Sequence, residues 1–398
     1  MMSLKTLCQM DLHGKRVLTR VDLNVPMIDG KIADATRIEK IIPTISEIIR
    51  KGGTPILLAH MGRPNGRRHQ NLSLSQLQEE LETYFNSKVI FAAECTGPSV
   101  ETTFEIVKKG EIILLENTRF YPEEEENDPM FSASLAALAD LFCNDAFSVS
   151  HRAHASTAGV AKYLPACAGK LMEAELKALE SVLNQPERPV AALVGGAKIS
   201  TKIKLLENLI EKVDCIIIGG AMANTFLFSK GFNIGQSLVE ESLKQTALKI
   251  LNKAEKYSCK IILPTDLIVA KELSKNTPTL TVSADKCPEN YMILDAGPLT
   301  VENIKEELNS AKTLLWNGPL GAFEVSPFDQ ATTQAAKFAS EKTKNGDLIS
   351  VAGGGDTLAA LNKAGVAEAF TYVSTAGGAF LEWLEGKELP GVGYLINK

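Results

Sequence analysis

Apolar and polar residues are arranged along the chain in two alternating patterns. Short apolar runs read as strands: RVLTRVDLNV from Arg16, TPILLAHMG from Thr54, KVIFAAE from Lys88, EIILLENTRF from Glu111 and LFCNDAFSV from Leu141. A second series follows, with PVAALVGG from Pro189, CIIIGG from Cys215, KIILPTDLIVA from Lys260, TLLWNGPLG from Thr313 and LISVAGGG from Leu348. Runs of this kind suit parallel strands covered on both faces. Helical stretches lie between them. In RIEKIIPTISEIIRKGG, isoleucines at 38, 41, 42, 45, 48 and 49 form one helical stripe. Pro43 is expected to kink this helix and Gly52 to end it. Residues 170–189, KLMEAELKALESVLNQPERP, predict an amphipathic helix closed by prolines. It separates the two strand series and reads as the connector of two α/β halves. EEEE at 123–126 reads as a solvated loop.

A chain of 398 residues is long for one core and implies two domains. Its 45% hydrophobic and 23% charged residues are those of an ordinary globular protein. A formal net charge of −6 offers no overall attraction for nucleic acid or an anionic membrane. No apolar run approaches the length of about 18 residues that a spanning helix needs. The first sixteen residues have scattered charges and no apolar core, so no signal peptide is expected. The seven cysteines are odd in number and none forms a CxxC pair, which points to free thiols in the cytoplasm.

All ten arginines lie at or before Arg188, and all five histidines at or before His154. Arginine grips carboxylate and phosphate bidentately. In open α/β sheets ligands sit beyond the carboxyl ends of strands. Arg20, Asp22 and Asn24 fall in and after the first strand, His60 and Arg63 after the second, and Arg119 and Arg152 after later ones. Arg37 opens the isoleucine-striped helix. Cations repeated at strand ends point to a site for a small polyanion.

The second half carries three glycine turns after strands. In VGGAKISTKIKLL, Lys198 and Lys202 are four apart and are expected to share a helix face. WNGPLGAFE offers Asn317 and Glu324. GGGDT, with Gly354, Gly355, Asp356 and Thr357, resembles a phosphate cradle in which Asp356 could hold Mg²⁺. It is not a GxxxxGK[ST] loop, and the chain has none. A glycine after a strand is by itself only a turn; three together favour a nucleotide site.

RVDLNVP (20–26), HMGRP (60–64), LLENTRF (114–120), HRAHAS (151–156), GGAKISTKI (195–203), WNGPLGAFE (316–324), GGGDT (353–357) and LPGVGYL (389–395) resemble, in order, the motifs of the phosphoglycerate kinase family. The resemblance spans nearly the whole chain. It implies two doubly wound, Rossmann-like parallel-sheet domains joined by a helix and hinge. Residues 1–169 would bind 3-phosphoglycerate, 170–189 would connect, 190–376 would bind nucleotide, and 377–398 would return to the first domain.

The resemblance further implies that Asp22, Leu23, Asn24, Arg37, His60, Met61, Gly62, Arg63, Arg119 and Arg152 bind 3-phosphoglycerate. Lys202, Asn317, Glu324, Gly354, Gly355, Asp356 and Thr357 would bind ATP or ADP, with Mg²⁺ on Asp356. Arg37 and Lys198 would act on the transferring phosphoryl group. The enzyme would be a cytoplasmic monomer that closes about its hinge, with no nucleic-acid or membrane partner. Two positions depart from the family's usual pattern: Ala376 in STAGGA replaces glycine, and would be strained if its φ were positive, and Met61 replaces leucine, a volume-conserving change. The alternative class is a non-catalytic two-lobed protein that binds a phosphorylated ligand.

Overall fold

The computed structural model describes residues 4–28 and 30–396. The chain forms two compact units: one runs to Lys177 and takes in the chain from Glu388, and the other covers Ala178–Lys387.

In the first unit, strands β1 (Arg16–Arg20), β4 (Thr54–Leu58), β5 (Val89–Phe91), β6 (Ile112–Leu114), β7 (Leu141–Asn144) and β8 (Ala166–Ala168) form a parallel sheet in the order β5-β6-β4-β1-β7-β8. A two-residue ribbon, β2 (Met27–Ile28) with β3 (Lys31–Ile32), follows the first strand. β1 is central, pairing Leu18 with Ile56 of β4 and with Phe142 of β7. One core layer packs Ile38, Ile41 and Ile45 of helix Thr36–Arg50 against Leu57, Leu77 and Leu114. Another joins Leu7, Leu12, Val17, Ile48 and Cys143.

In the second unit, β9 (Val190–Val194), β10 (Cys215–Ile218), β11 (Lys260–Ile262), β15 (Thr313–Asn317), β16 (Ile349–Gly353) and β17 (Tyr372–Ser374) are also parallel, in the order β11-β10-β9-β15-β16-β17. Numbered within this sheet the order is 3-2-1-4-5-6, the dinucleotide-fold order, whose switch point lies between β9 and β15. Trp316, Leu193, Ile217, Ile304, Leu308 and Ala335 are buried in its core. A separate antiparallel sheet, β13-β12-β14, comprises β12 (Asp266–Ala270), β13 (Thr279–Ser283) and β14 (Met292–Ala296).

Several local expectations change. KIILPTDLIVA is two strands in two sheets, β11 and β12, with Pro264 between them. Residues 122–125 are helical rather than loop, and Glu124 is buried. The 170–189 helix covers Lys170–Leu183, and the division between units falls inside it, after Lys177. Its start is held within the first unit: Met172 N donates to Asp145 Oδ1 at 3.0 Å and Lys170 N to Thr44 Oγ1 at 2.8 Å.

The chain rejoins the first unit at Glu388, later than the expected 377. Helix Gly377–Leu384 stays with the second unit because Phe380 and Leu384 are buried and Leu384 O accepts from Asn208 Nδ2 at 2.5 Å. The returning segment is fastened where Asn144 Nδ2 donates to Gly391 O at 2.8 Å and Lys5 N to Leu395 O at 2.8 Å. Ala376 has φ −92° and ψ 99°, ordinary extended backbone, so alanine is unstrained there.

Candidate active site

In the first unit most residues expected to hold a polyanion stand on loops and turns after the strands, in the positions open α/β sheets use for ligands, with Arg20 at the end of β1. Arg37 lies in the first turn of its helix. Its Nη1 donates to Asp22 Oδ2 at 2.9 Å and Oδ1 at 3.1 Å, and to Asn24 O at 3.0 Å. Asp22 also accepts from Ser148 Oγ at 2.6 Å, so this carboxylate aims the half-buried arginine. Asn24 Oδ1 accepts from Gly62 N at 2.8 Å, and Arg119 Nη1 donates to Gly62 O at 2.9 Å. The loop that carries His60 and Arg63 is thus tied on both sides to other site residues.

Arg119 lies in a 3₁₀ turn, Thr118–Phe120, rather than in a strand, with its Nε 3.4 Å from Glu125 Oε1. Arg152 follows a turn and donates from Nε to His151 Nε2 at 3.3 Å. Arg63 is exposed and forms no ion pair among the described residues. Leu23 and Met61 are buried, which leaves only their backbone for a ligand.

Arg20 differs from the others. Only 1% exposed, it lies beneath the cluster, donating from Nε to Ser156 Oγ at 2.9 Å and from Nη2 to His60 Nδ1 at 3.0 Å. Burial, with Arg20, Arg119, Arg37 and His154 nearby, pushes the His60 imidazole well below its usual pKa. Burial and Arg119, Arg20 and Arg152 lower that of His154 to about 4. Both rings are neutral near pH 7, and the site's positive charge is that of its arginines.

In the second unit the three glycine turns converge at the switch point. Gly195 follows β9, and a Cβ there would lie 1.9 Å from Pro319 O, so only glycine allows the two loops to meet. A cavity of about 280 Å³ is lined by Gly196, Lys202, Asn317, Gly355, Asp356 and Thr357, among others. Helix Gly355–Lys363 begins on it with Gly354 at φ 102° and no side-chain cap, leaving its first N–H groups for a ligand.

Lys202 is half-buried and donates to Asn317 Oδ1; Asn317 Nδ2 in turn donates to Gly353 O at 2.6 Å. Burial lowers the Lys202 pKa, against the opposing pull of Asp356 and Glu385. The Thr357 hydroxyl is taken by the fold, donating to Gly353 O at 2.9 Å and accepting from Gly318 N at 2.7 Å, so its backbone N–H is what remains for a ligand.

Lys198 does not share a helix face with Lys202. It is extended and exposed before the 3₁₀ turn Ile199–Thr201, and helix Ile203–Leu209 starts only after Lys202. A second cavity of about 380 Å³ adjoins the first and shares Gly196, Ala197 and Asp356 with it. Its walls are largely apolar, including Leu238, Leu267, Met292 and Leu294, and exposed Glu324 lies on its lining. Most of these apolar residues carried no local signal, because they come from segments far apart in the chain. The paired glycines of CIIIGG, after a neighbouring strand, were the one hint.

A doubly wound unit with a glycine-lined anion cradle, in a chain whose other doubly wound unit gathers arginines, defines a two-unit α/β phosphotransferase. Comparison with known proteins narrows the class. The phosphoglycerate kinase family profile matches residues 7–387. A phosphoglycerate kinase of Ruegeria pomeroyi is 58% identical over 396 residues, covering 100% of both chains. One from Bradyrhizobium diazoefficiens is 56% identical over 394 residues, covering 99% of each. Among solved structures, phosphoglycerate kinase from Coxiella burnetii superposes with a TM-score of 0.91 at 42% identity, covering 98% of each chain. That from Pyrococcus horikoshii gives 0.81 at 30% identity over 98% of each. The chain belongs to the phosphoglycerate kinase family and has that family's activity, a phosphotransferase step of glycolysis.

Proposed function

We propose that the chain transfers a phosphoryl group reversibly between ATP and the carboxylate of 3-phosphoglycerate, with one substrate on each unit. The observation that carries this reading is the pair of adjoining cavities at the switch point of the second sheet. There Lys202, Asp356 and an uncapped helix N-terminus meet, beside apolar walls suited to a nucleotide base. The phosphate chain would lie on Gly354, Gly355 and the Thr357 N–H, with Lys202 held by Asn317, and Glu324 on the base and sugar side. In the first unit Arg63, Arg119 and Arg152, with His60, Asn24 and the backbone of Leu23, Met61 and Gly62, would hold 3-phosphoglycerate. Asp22 keeps Arg37 in place beside it.

Asp356 fits Mg²⁺: it is an exposed carboxylate on both cavity linings and forms no ion pair among the described residues. Mg²⁺ is commonly held by one or two carboxylates together with substrate phosphates and water. When bound, the ion would neutralise phosphate charge.

The attacking carboxylate is already ionised at neutral pH, so no general base is needed. Catalysis is then alignment and stabilisation of charge on a largely dissociative transition state, which Arg37, Lys198 and the N–H groups of the glycine turn would supply. In-line transfer requires the reacting atoms within roughly 3–3.5 Å, so we take it to follow hinge closure. We take the enzyme to be a cytoplasmic monomer; six of its seven cysteines are buried and all are free, as in a reducing compartment. Light scattering checks the monomer. A coupled assay of ADP formation, dependent on both ATP and 3-phosphoglycerate, tests the reaction. ADP formation without 3-phosphoglycerate would refute the assigned acceptor.

A further inference from the structure

Beneath the arginine cluster lies a chain of buried polar groups. Glu124 is 1% exposed. Its Oε2 accepts from Ser156 N at 2.9 Å, and its Oε1 from Ser156 Oγ at 2.5 Å and Thr118 Oγ1 at 3.3 Å. The Ser156 hydroxyl, which donates its hydrogen bond to Glu124, accepts from Arg20 Nε at 2.9 Å. Arg20 Nη1 donates to Val21 O, and Nη2 reaches His60 Nδ1 at 3.0 Å. Every link has a forced direction. A guanidinium only donates, so Nδ1 of His60 must be the acceptor.

We infer that Glu124 and Ser156, acting through Arg20, are positioning residues that hold His60 as a neutral imidazole protonated at Nε2. His60 then offers an N–H, never a lone pair, from the nitrogen not engaged by Arg20. The other charged or titratable neighbours are Arg37, Arg119 and His154, which oppose a second proton on the ring. His154 Nδ1 is 3.8 Å from Glu124 Oε1, so that carboxylate lies beside His154 directly and is linked to His60 through Ser156 and Arg20. Glu124, together with Asp22, also balances Arg20, because a buried guanidinium without opposing charge is costly. The serine is a bridge, since Glu124 meets Arg20 through its hydroxyl.

The inference rests on the reading of this cluster as the 3-phosphoglycerate site. It can be tested apart from that reading, because the tautomer is observable in the ligand-free enzyme. Nitrogen-15 NMR of the full chain labelled at its five histidines, with His60→Gln to assign the signal, is expected to show Nδ1 unprotonated and Nε2 protonated near neutral pH. A cationic ring or an Nδ1–H tautomer would overturn the inference, whatever the substrate.

In Ser156→Ala the His60 signal is expected to move toward a mixture of tautomers. The KM for 3-phosphoglycerate should rise roughly tenfold, as for loss of a hydrogen bond to a charged group, while the KM for ATP holds. Glu124→Gln should act in the same direction, and circular dichroism reports whether each variant keeps its fold. If Ser156→Ala folds and leaves the His60 tautomer unchanged, Glu124 and Ser156 do not position it. A moved tautomer with an unchanged 3-phosphoglycerate KM would remove His60 from the substrate site and leave the tautomer assignment standing.

Discussion

Arg37 and Lys198 are assigned to charge that grows during transfer, whereas Arg63 and Arg152 are assigned to charge the substrate already carries. Replacing either of the first pair by alanine is expected to lower kcat by roughly 10²–10³-fold, as loss of one oxyanion-type donor does. Replacing either of the second pair should chiefly raise the KM for 3-phosphoglycerate. Steady-state kinetics with each substrate varied separates the two cases, and an Arg37→Ala enzyme altered only in KM would contradict its role. Asp356→Asn should weaken use of Mg-ATP and leave 3-phosphoglycerate affinity, measured by calorimetric titration, unchanged. His154 gives a pH expectation. Its folded pKa, about 4, is below the unfolded value near 6.5, so the ring contributes stability above pH 6.5 that is lost as pH falls toward 4. Urea unfolding of His154→Gln should therefore show a flatter fall in stability across that window than the parent protein.

The GGGDT turn shows how one element assigns different duties to adjacent glycines. Gly354 has φ 102°, and a Cβ on it would stand 2.8 Å from Asn317 Nδ2. Gly355 begins the helix at ordinary φ with nothing within 4 Å of an added Cβ. Gly354→Ala is thus expected to cost roughly 1–3 kcal/mol of stability through backbone strain. Gly355→Ala should leave stability nearly unchanged while raising the KM for nucleotide, because its methyl group would occupy the place proposed for the phosphate chain. Thermal unfolding together with ATP kinetics distinguishes the two; equal losses of stability would show that the space at Gly355 is not reserved for ligand. The same turn was recognisable in the sequence from its glycines and acid. Which glycine answered to strain and which to open space was not, because that depends on where Asn317, more than thirty residues earlier, places its amide.

At the scale of the whole molecule, each unit has its own sheet and its own core. Hydrogen exchange should therefore slow on addition of 3-phosphoglycerate mainly up to Lys177 and after Glu388, and on addition of a non-hydrolysable ATP analogue mainly within Ala178–Lys387. Protection by either ligand confined to the other unit would reverse the assignment of substrates. Closure is checked by small-angle scattering: the ternary complex should have a smaller radius of gyration than the free protein, and an unchanged value would remove hinge closure from the reaction.

The sequence by itself determined the two α/β halves and the cations and glycines at strand ends. Those features are local: apolar runs, a helical stripe and turn residues follow from neighbours a few positions apart. It also carried the family, through eight ordered motifs. Tertiary structure decided the rest. EEEE looks solvated as a string, but Glu124 is buried, satisfied mainly by Ser156 from a distant segment, whose hydroxyl in turn accepts from Arg20. Arg20 looks like its fellow arginines, but its position on the central strand puts it under the site rather than in it. Lys198 and Lys202 are four apart, the spacing of a shared helix face, and the chain turns before a helix begins. Part of the apolar cavity's wall comes from β12 and β14 of the antiparallel sheet, and the string KIILPTDLIVA hid that sheet by running β12 together with β11 of the parallel one. In each case the deciding term is the cost of burying a charge or polar group, or the shape left between distant elements. Neither is set until non-local partners are in place.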